Sequence, residues 1–267
     1  MKRDGLTLYY QDLGERDAPA LVLVHGLGCD STIWREQLTD FSRDHRVLAV
    51  DLPGFGQSDK PHDRDYSLAW FAQTLQWVLE DAKVERPVLV GHSMGFAIVR
   101  RHCLDYPGVA AALCDVDGFC FRNPMQAQLY TVWKQIVDFI QWPFVTPEER
   151  RIASWAQFIE YTFYGKTPEP LREEIRRRVE RTDLHVLQSC WENMFASWQW
   201  VPESIEIPAF ILYAQGLHSL PDAETWFRTF FPRMVYREWD DTGHYMMLER
   251  PERFNAEIRE FLGRIGM

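Results

Sequence analysis

Serine, histidine and aspartate are the residue types of nucleophilic acyl transfer, and this chain sets each of them where a strand runs into a loop. Ser93 lies in Gly91-His92-Ser93-Met94-Gly95, between the short apolar run Arg86–Gly91 and the stretch Phe96–His102, which can run as a helix. Strand, tight turn, helix is the setting in which a Gly-x-Ser-x-Gly turn holds a serine on a strained elbow, its hydroxyl exposed above a sheet. The two glycines let strand and helix approach where a side chain would clash. A serine hydroxyl is a weak nucleophile and needs an adjacent base. Histidine suits, because its unperturbed pKa is near neutrality. The histidine in turn needs a carboxylate that holds its tautomer and stabilises the imidazolium. The plainer reading is a glycine-rich turn with a bystander serine, and the partners named next weigh against it.

Those partners sit at other strand ends. Ala20–His25 is a continuous apolar run leading into His25-Gly26-Leu27-Gly28. A glycine-flexible loop there can aim the Leu27 N–H into a cleft as one donor to an oxyanion. Arg46–Asp51 is the next strand, and Asp51 is expected to shape the following turn-rich loop by accepting backbone N–H groups. Val109–Asp117 ends in Asp115 and Asp117, two acids before Gly118. Asp117 could equally cap the loop that follows. Asp115 points to the same side by period two but lies deeper. A last strand, Met234–Trp239, precedes Asp240-Asp-Thr-Gly-His244. His244 has a bland alternative too, as a loop residue capping the next helix.

The elements that must position these residues alternate. Strands are expected at Leu6–Gln11, Ala20–His25, Arg46–Asp51, Val88–Val90, Val109–Asp117, Pro208–Ala214 and Met234–Trp239. Helices are expected over Tyr66–Lys83, Asp222–Phe231 and Pro251–Ile265. The apolar stripe of Leu68, Phe71, Ala72, Leu75, Val78 and Leu79 marks the first of these helices. This rhythm implies an α/β fold, a mostly parallel sheet with helices on both faces, whose sites lie outside the carboxyl ends of the strands. From Phe119 to about Glu206 the rhythm stops. Helical stretches at Met125–Ile140, Pro147–Tyr164, Glu169–Arg181 and Leu184–Ser197 suggest an inserted helical cap. The expected division is a core of residues 1–118 and 207–267 and a cap of residues 119–206.

Taken together, His25-Gly26-Leu27-Gly28, Asp51-Leu-Pro-Gly-Phe-Gly-Gln-Ser58, Gly91-His-Ser-Met-Gly95 and Asp241-Thr-Gly-His244 resemble the α/β-hydrolase superfamily, over nearly the whole chain outside the cap. The resemblance implies Ser93 as nucleophile, His244 as base, and the Leu27 and Met94 N–H groups as oxyanion donors. It specifies fold far better than substrate. The acid departs from the usual pattern. The family places it after the strand that is here Phe210–Ala214, as Gly-x-x-Asp, where this chain has Gly216-Leu-His-Ser219. Asp222, the first carboxylate of that loop, looks like a helix N-cap. Some haloalkane dehalogenases and fungal zearalenone lactonases carry their acid after the strand that follows the nucleophile helix. By that analogy Asp117 is favoured, with Asp222 second and Asp115 third.

The composition is that of an ordinary globular protein, with 46% apolar and 25% charged residues. A net charge of −10 argues against nucleic-acid or anionic-membrane partners. No long uncharged apolar stretch predicts a membrane span. An N-terminus without an apolar centre and five scattered cysteines suggest reduced thiols and a cytoplasmic setting. No Cys/His spacing resembles a metal site, so neither metal nor cofactor is expected. Cys29 and Cys190 receive no role. Six of eleven tryptophans fall in 119–206, and Trp133, Trp155 and Trp191 are candidates to line an apolar substrate pocket, although most aromatics there should simply pack cap on core. Arg172–Arg178 reads as a solvated helix face with i,i+4 pairs Glu173–Arg177 and Glu174–Arg178. The expected activity is hydrolysis of a small apolar or aromatic carboxylic ester or lactone through an acyl-enzyme. Rivals are a proline-iminopeptidase-like amidase, a carbon–carbon bond hydrolase, a hydroxynitrile lyase and a non-catalytic ligand receptor on the same shell. The sequence leaves the oligomeric state open, a homodimer included.

Overall fold

The computed structural model describes residues 1–118, 155, 159–160, 162–163, 165, 167–195, 203–214 and 223–267. The helices expected over 125–140 and most of 147–164, with Trp133 and Asp222, lie outside these residues.

A short hairpin, β1 (Lys2–Arg3) and β2 (Leu6–Thr7), opens the chain. Seven strands then make one sheet: β3 (Tyr10–Leu13), β4 (Ala20–Val24), β5 (Arg46–Val50), β6 (Val88–His92), β7 (Ala112–Val116), β8 (Ala209–Ala214) and β9 (Met234–Trp239). Their order is β3-β5-β4-β6-β7-β8-β9. Only β3 runs antiparallel to its neighbour; the other pairs are parallel. Every residue of β4 through β8 is buried, which is why these strands read as unbroken apolar runs: a parallel sheet is covered on both faces. Along β4, Leu21 and Leu23 enter one hydrophobic cluster while Val22 and Val24 enter the other, so the sheet divides the core in two.

Parallel neighbours need crossovers. Helix α1 (Arg35–Phe41) lies between β4 and β5, α2 (Leu68–Ala82) between β5 and β6, and α3 (Met94–Asp105) between β6 and β7. The Ser67 side chain caps α2 by accepting the Trp70 N–H. Helices α4 (Glu169–Glu180) and α5 (Leu184–Phe195) precede β8, α6 (Ala223–Phe230) precedes β9, and α7 (Pro251–Arg264) ends the fold. From β4 the chain steps to β5 on one side, then returns to β6 on the other. The crossovers diverge there and leave a crevice at the carboxyl ends of β4 and β6, the usual place for a ligand in an open α/β sheet.

Four elements differ from the sequence expectation. The single strand expected at Leu6–Gln11 is split, because Thr7 and Tyr9 donate their N–H groups to Asp59 Oδ2 and Ser58 Oγ in the loop after β5. Helix α1 was not expected; nor was the single helical turn Met246–Glu249 behind His244. The strand expected from Val109 begins only at Ala112 and stops at Val116.

Candidate active site

Ser93 is the hinge between β6 and α3. Its φ of 54° and ψ of −120° are a conformation that non-glycine residues avoid, and it persists because the surroundings fix it. The Ser93 N–H donates to the Val116 carbonyl at 3.1 Å and its carbonyl accepts the Phe96 N–H at 3.0 Å. Glycine is required at 95 by close approach: a Cβ there would meet the Val24 and His25 carbonyl oxygens of the β4 end. Met94 is the first residue of α3, so its N–H has no intrahelical partner. Across the crevice, a Cβ on Gly26 would stand 2.9 Å from the Ser93 Cβ, which places the loop holding Leu27 directly against the serine.

That loop is fastened by two buried side chains. His25 Nδ1–H donates to the Gly26 carbonyl at 2.8 Å, and its Nε2 accepts the Leu52 N–H at 3.0 Å. An Nε2 that accepts requires the neutral ring, protonated at Nδ1, and burial pushes the His25 pKa down. Asp51 does what its position suggested: one carboxylate oxygen accepts the Ser31 N–H at 2.7 Å and the other the Gln57 N–H at 2.8 Å.

His244 and Asp117 meet. Nδ1 of His244 lies 2.6 Å from Asp117 Oδ2, with the aspartate side chain fully buried and the histidine 9% exposed. The other Asp117 oxygen accepts the Ala214 N–H at 2.9 Å, so both oxygens are engaged. Asp117 itself has φ of 48°. The strand has ended at Val116 and the backbone has turned, so Asp115 and Asp117 are no longer related by simple alternation. Asp115 instead accepts the Gly118 N–H at 2.6 Å, and burial raises its pKa well above the carboxylate range. Of the three aspartates weighed, Asp117 lies at His244, Asp115 is turned into the β7 end, and Asp222 lies outside the described residues.

His92, the variable residue of the Ser93 turn, is the contact that sequence reasoning missed. Its Nε2–H donates to the His244 carbonyl at 3.0 Å, and the two rings lie 4.4 Å apart. Ser93's neighbour in the chain is thus packed on His244. Burial and the nearby His244 hold the His92 pKa well below normal. Its position inside a histidine-bearing turn was the only available signal. Two more bonds set the histidine loop: the His244 N–H donates to the Thr162 carbonyl at 2.9 Å, and the Gly243 N–H to Glu249 Oε2 at 3.0 Å. Asp241, by contrast, faces outward to Arg253 at 3.0 Å.

Helix α4 covers the Leu27 loop. A Cβ on Gly28 would strike Val179 Cγ2, and Arg178 reaches Asp30 at 2.6 Å and Glu174 at 2.7 Å. The expected pairs Glu173–Arg177 and Glu174–Arg178 both form, but only the first lies on a solvated face. The second is docked, with Glu174 also 2.8 Å from Arg35. Lys60, Arg177, Arg178 and Arg181 share a cleft of about 490 Å³ with Asp30 and Glu174; neither Ser93 nor His244 lines it. Trp155 and Trp191 meet edge to face at 5.3 Å, packed against the hydrophobic core. Cys29 and Cys190 are buried, and burial pushes the Cys29 thiol up to about 12, away from the reactive thiolate form. Among the described residues no helix is long and apolar enough to cross a membrane.

Ser93 at the end of β6 and the His244–Asp117 pair both lie on loops at the carboxyl side of this sheet, and comparison with known proteins identifies the family to which the fold belongs. The model of the alpha/beta hydrolase family matches residues 21–257, and the chain belongs to that family. The chain is 32% identical over 121 residues, 45% of each protein, to the "Putative carbamate hydrolase RutD" of Escherichia coli O44:H18 (strain 042 / EAEC). The match thus spans less than half the length of that curated relative. Among solved structures, Est816, described as an N-acyl homoserine lactone degrading enzyme, superposes with a TM-score of 0.79 at 22% identity, covering 97% of this chain and 98% of the other. The enol-lactonase from Burkholderia xenovorans LB400 gives 0.78 at 22% identity, with 97% and 98% covered. At such identities the likeness is one of fold.

Proposed function

We propose that the protein is a serine hydrolase that cleaves a carboxylic ester or lactone carrying apolar or aromatic groups, through an acyl-enzyme on Ser93. The observation that carries this reading is the 2.6 Å contact between His244 Nδ1 and the buried Asp117 carboxylate, with Ser93 held at positive φ and its chain neighbour His92 packed on His244. Asp117 accepts the Nδ1 proton of His244 and so leaves Nε2 as the base. His244 takes the Ser93 proton as the oxygen attacks the carbonyl. It returns that proton to the leaving alcohol, then activates water against the acyl-enzyme. The Leu27 and Met94 N–H groups stabilise the tetrahedral oxyanion, each worth about 3 kcal/mol.

Residues 119–206 serve in this reading as a helical cap over the crevice, with Trp133, Trp155 and Trp191 offering apolar surface to the substrate. Two of the structurally similar proteins, Est816 and the enol-lactonase, act on lactones, which favours including lactones. The carbamate hydrolase named above favours a second reading, attack on a carbamate or amide carbonyl by the same groups.

Steady-state turnover of an open-chain aryl ester, an aromatic macrolactone, an aryl carbamate and an amide, with Ser93→Ala as control, tests both readings. Ester or lactone turnover that disappears in Ser93→Ala supports the first. Carbamate or amide turnover without ester turnover would replace it with the second. Inactivity of the wild type on all four would return the receptor and lyase readings to the front.

A further inference from the structure

Away from Ser93, His62, Asp183 and His185 each bring one ligand atom to within 4.8 Å of the others. His62 lies in the loop between β5 and α2, Asp183 just before α5, and His185 in its first turn. The two imidazoles stack, centroids 4.2 Å apart and planes 17° from parallel. Nε2 of His185 is shut off from solvent and has no hydrogen-bond partner. A buried polar nitrogen without a partner is costly, and a metal ion is one partner that an imidazole nitrogen accepts.

The surroundings hold this cluster in place. Tyr66 stands edge-on to His185, with centroids 5.7 Å apart, and its hydroxyl donates to the carbonyl of Pro61 at 2.9 Å, the residue before His62. Ser189 Oγ–H donates to the Asp65 carbonyl at 2.6 Å, and the Asn193 amide donates to that same carbonyl. The 61–66 loop is therefore already tied to α5 along two turns of the helix, beside the imidazole pair.

We propose that His62, Asp183 and His185 form a binding site for a divalent transition-metal ion, Zn²⁺ first among them, which clamps the loop before α2 to α5. Two imidazoles and one carboxylate suit Zn²⁺ and its late first-row neighbours, and offer too few oxygens for Ca²⁺. Tetrahedral zinc holds its ligand atoms roughly 3.3 Å apart. The exposed His62 and Asp183 side chains can close that gap by rotamer changes. Three protein ligands leave the fourth position to water. Local Cys/His spacing gave no hint of this site because His62 is distant in sequence from the other two residues. The site is independent of the Ser93 chemistry.

The test is calorimetric titration of the untagged full-length protein with ZnCl₂, alongside thermal unfolding. The wild type is expected to bind one ion per chain, with its unfolding midpoint raised by the metal. His62→Gln and Asp183→Asn, both at exposed positions, should unfold like wild type without metal. Each should weaken binding by at least roughly tenfold, since even an outer hydrogen-bonding partner of a ligand is worth 10- to 100-fold. No binding by the wild type overturns the proposal. So does undiminished binding by His62→Gln, or binding lost in His244→Ala but kept in His62→Gln, which would put the ion at the Ser93 site.

Discussion

The loops at the carboxyl ends of the strands and the helices α4 and α5 beside them are held in different ways. The loops are fixed from within a few residues or by the adjacent strand: Ser93 and Asp117 by their N–H bonds to the Val116 and Leu212 carbonyls, the Leu27 loop by His25 and Asp51. The helices are fixed by distant partners: Arg178 by Asp30, Glu174 by Arg35, Ser189 and Asn193 by the Asp65 carbonyl. If this contrast is right, substitutions in the loops change chemistry at little cost to the fold, and substitutions at the α4 dock do the reverse.

The largest effect should come from Asp117→Asn. Asparagine can keep the Ala214 N–H bond but favours the wrong His244 tautomer. We expect kcat on the best ester or lactone to fall about 10⁴-fold, the typical cost of losing the carboxylate behind a catalytic histidine, with a near-unchanged urea midpoint. Asp222→Asn should leave kcat within a few-fold. The opposite result would move the acid to the loop after β8 and break the contrast at its centre.

Acid should next separate the strand ends, together with the α3 helix that follows Ser93, from α4. His25, His92 and His102 are buried, and burial lowers all three pKa values, that of His102 to about 4. The unfolded chain takes up these protons below about pH 6.5, while the native state resists them. Stability is therefore full above pH 6.5 and declines as pH falls towards 4, with His102 alone contributing roughly 3 kcal/mol. The Asp and Glu partners of α4 stay ionised over most of that window, so its ion pairs should not share in the loss. Urea midpoints at pH 7, 5.5 and 4.5 measure the slope. His102→Gln, which can still face Gln76, should flatten it; an unchanged slope would remove His102 from the account.

The same contrast explains what was legible in the sequence. The β4–β8 strands announce themselves because a parallel sheet needs apolar residues at every position, and the Ser93 turn because Gly95 is demanded by the carbonyls at the end of β4 and Gly91 by the first turn of α3. The Asp117–His244 contact was reachable only through strand order and analogy, since no local spacing pairs residues so far apart. Alternation alone could not separate Asp115 from Asp117, since it holds only while the strand lasts and the strand stops one residue before Asp117. Helix α1 escaped notice because Arg35–Phe41 carries only two strongly apolar residues, Leu38 and Phe41. His92 and the docked side of α4 were invisible for a different reason. Their partners, His244 and Asp30, are chosen by the fold, and nothing near His92 or Arg178 in the chain encodes them.

The smallest effect is the sharpest test of the helical half. Arg177 and Arg178 are neighbours on α4 with the same side chain and the same kind of i,i+4 glutamate. Arg177 is 63% exposed and among the described residues pairs with Glu173 alone, so its ion pair is screened and Arg177→Ala should change stability by less than about 0.5 kcal/mol. Arg178 is 15% exposed and bridges Asp30 and Glu174. Its removal leaves two partly buried carboxylates without their shared cation. Arg178→Ala should therefore cost about 2 kcal/mol, read as a lower urea midpoint at unchanged slope. Any accompanying loss of activity should fall on kcat rather than KM, because the helix that loosens covers the Leu27 loop, whose N–H acts on the oxyanion. Equal effects at the two positions would mean that α4 is not docked through Arg178, and that its grip on the loop rests on Val179 against Gly28 alone.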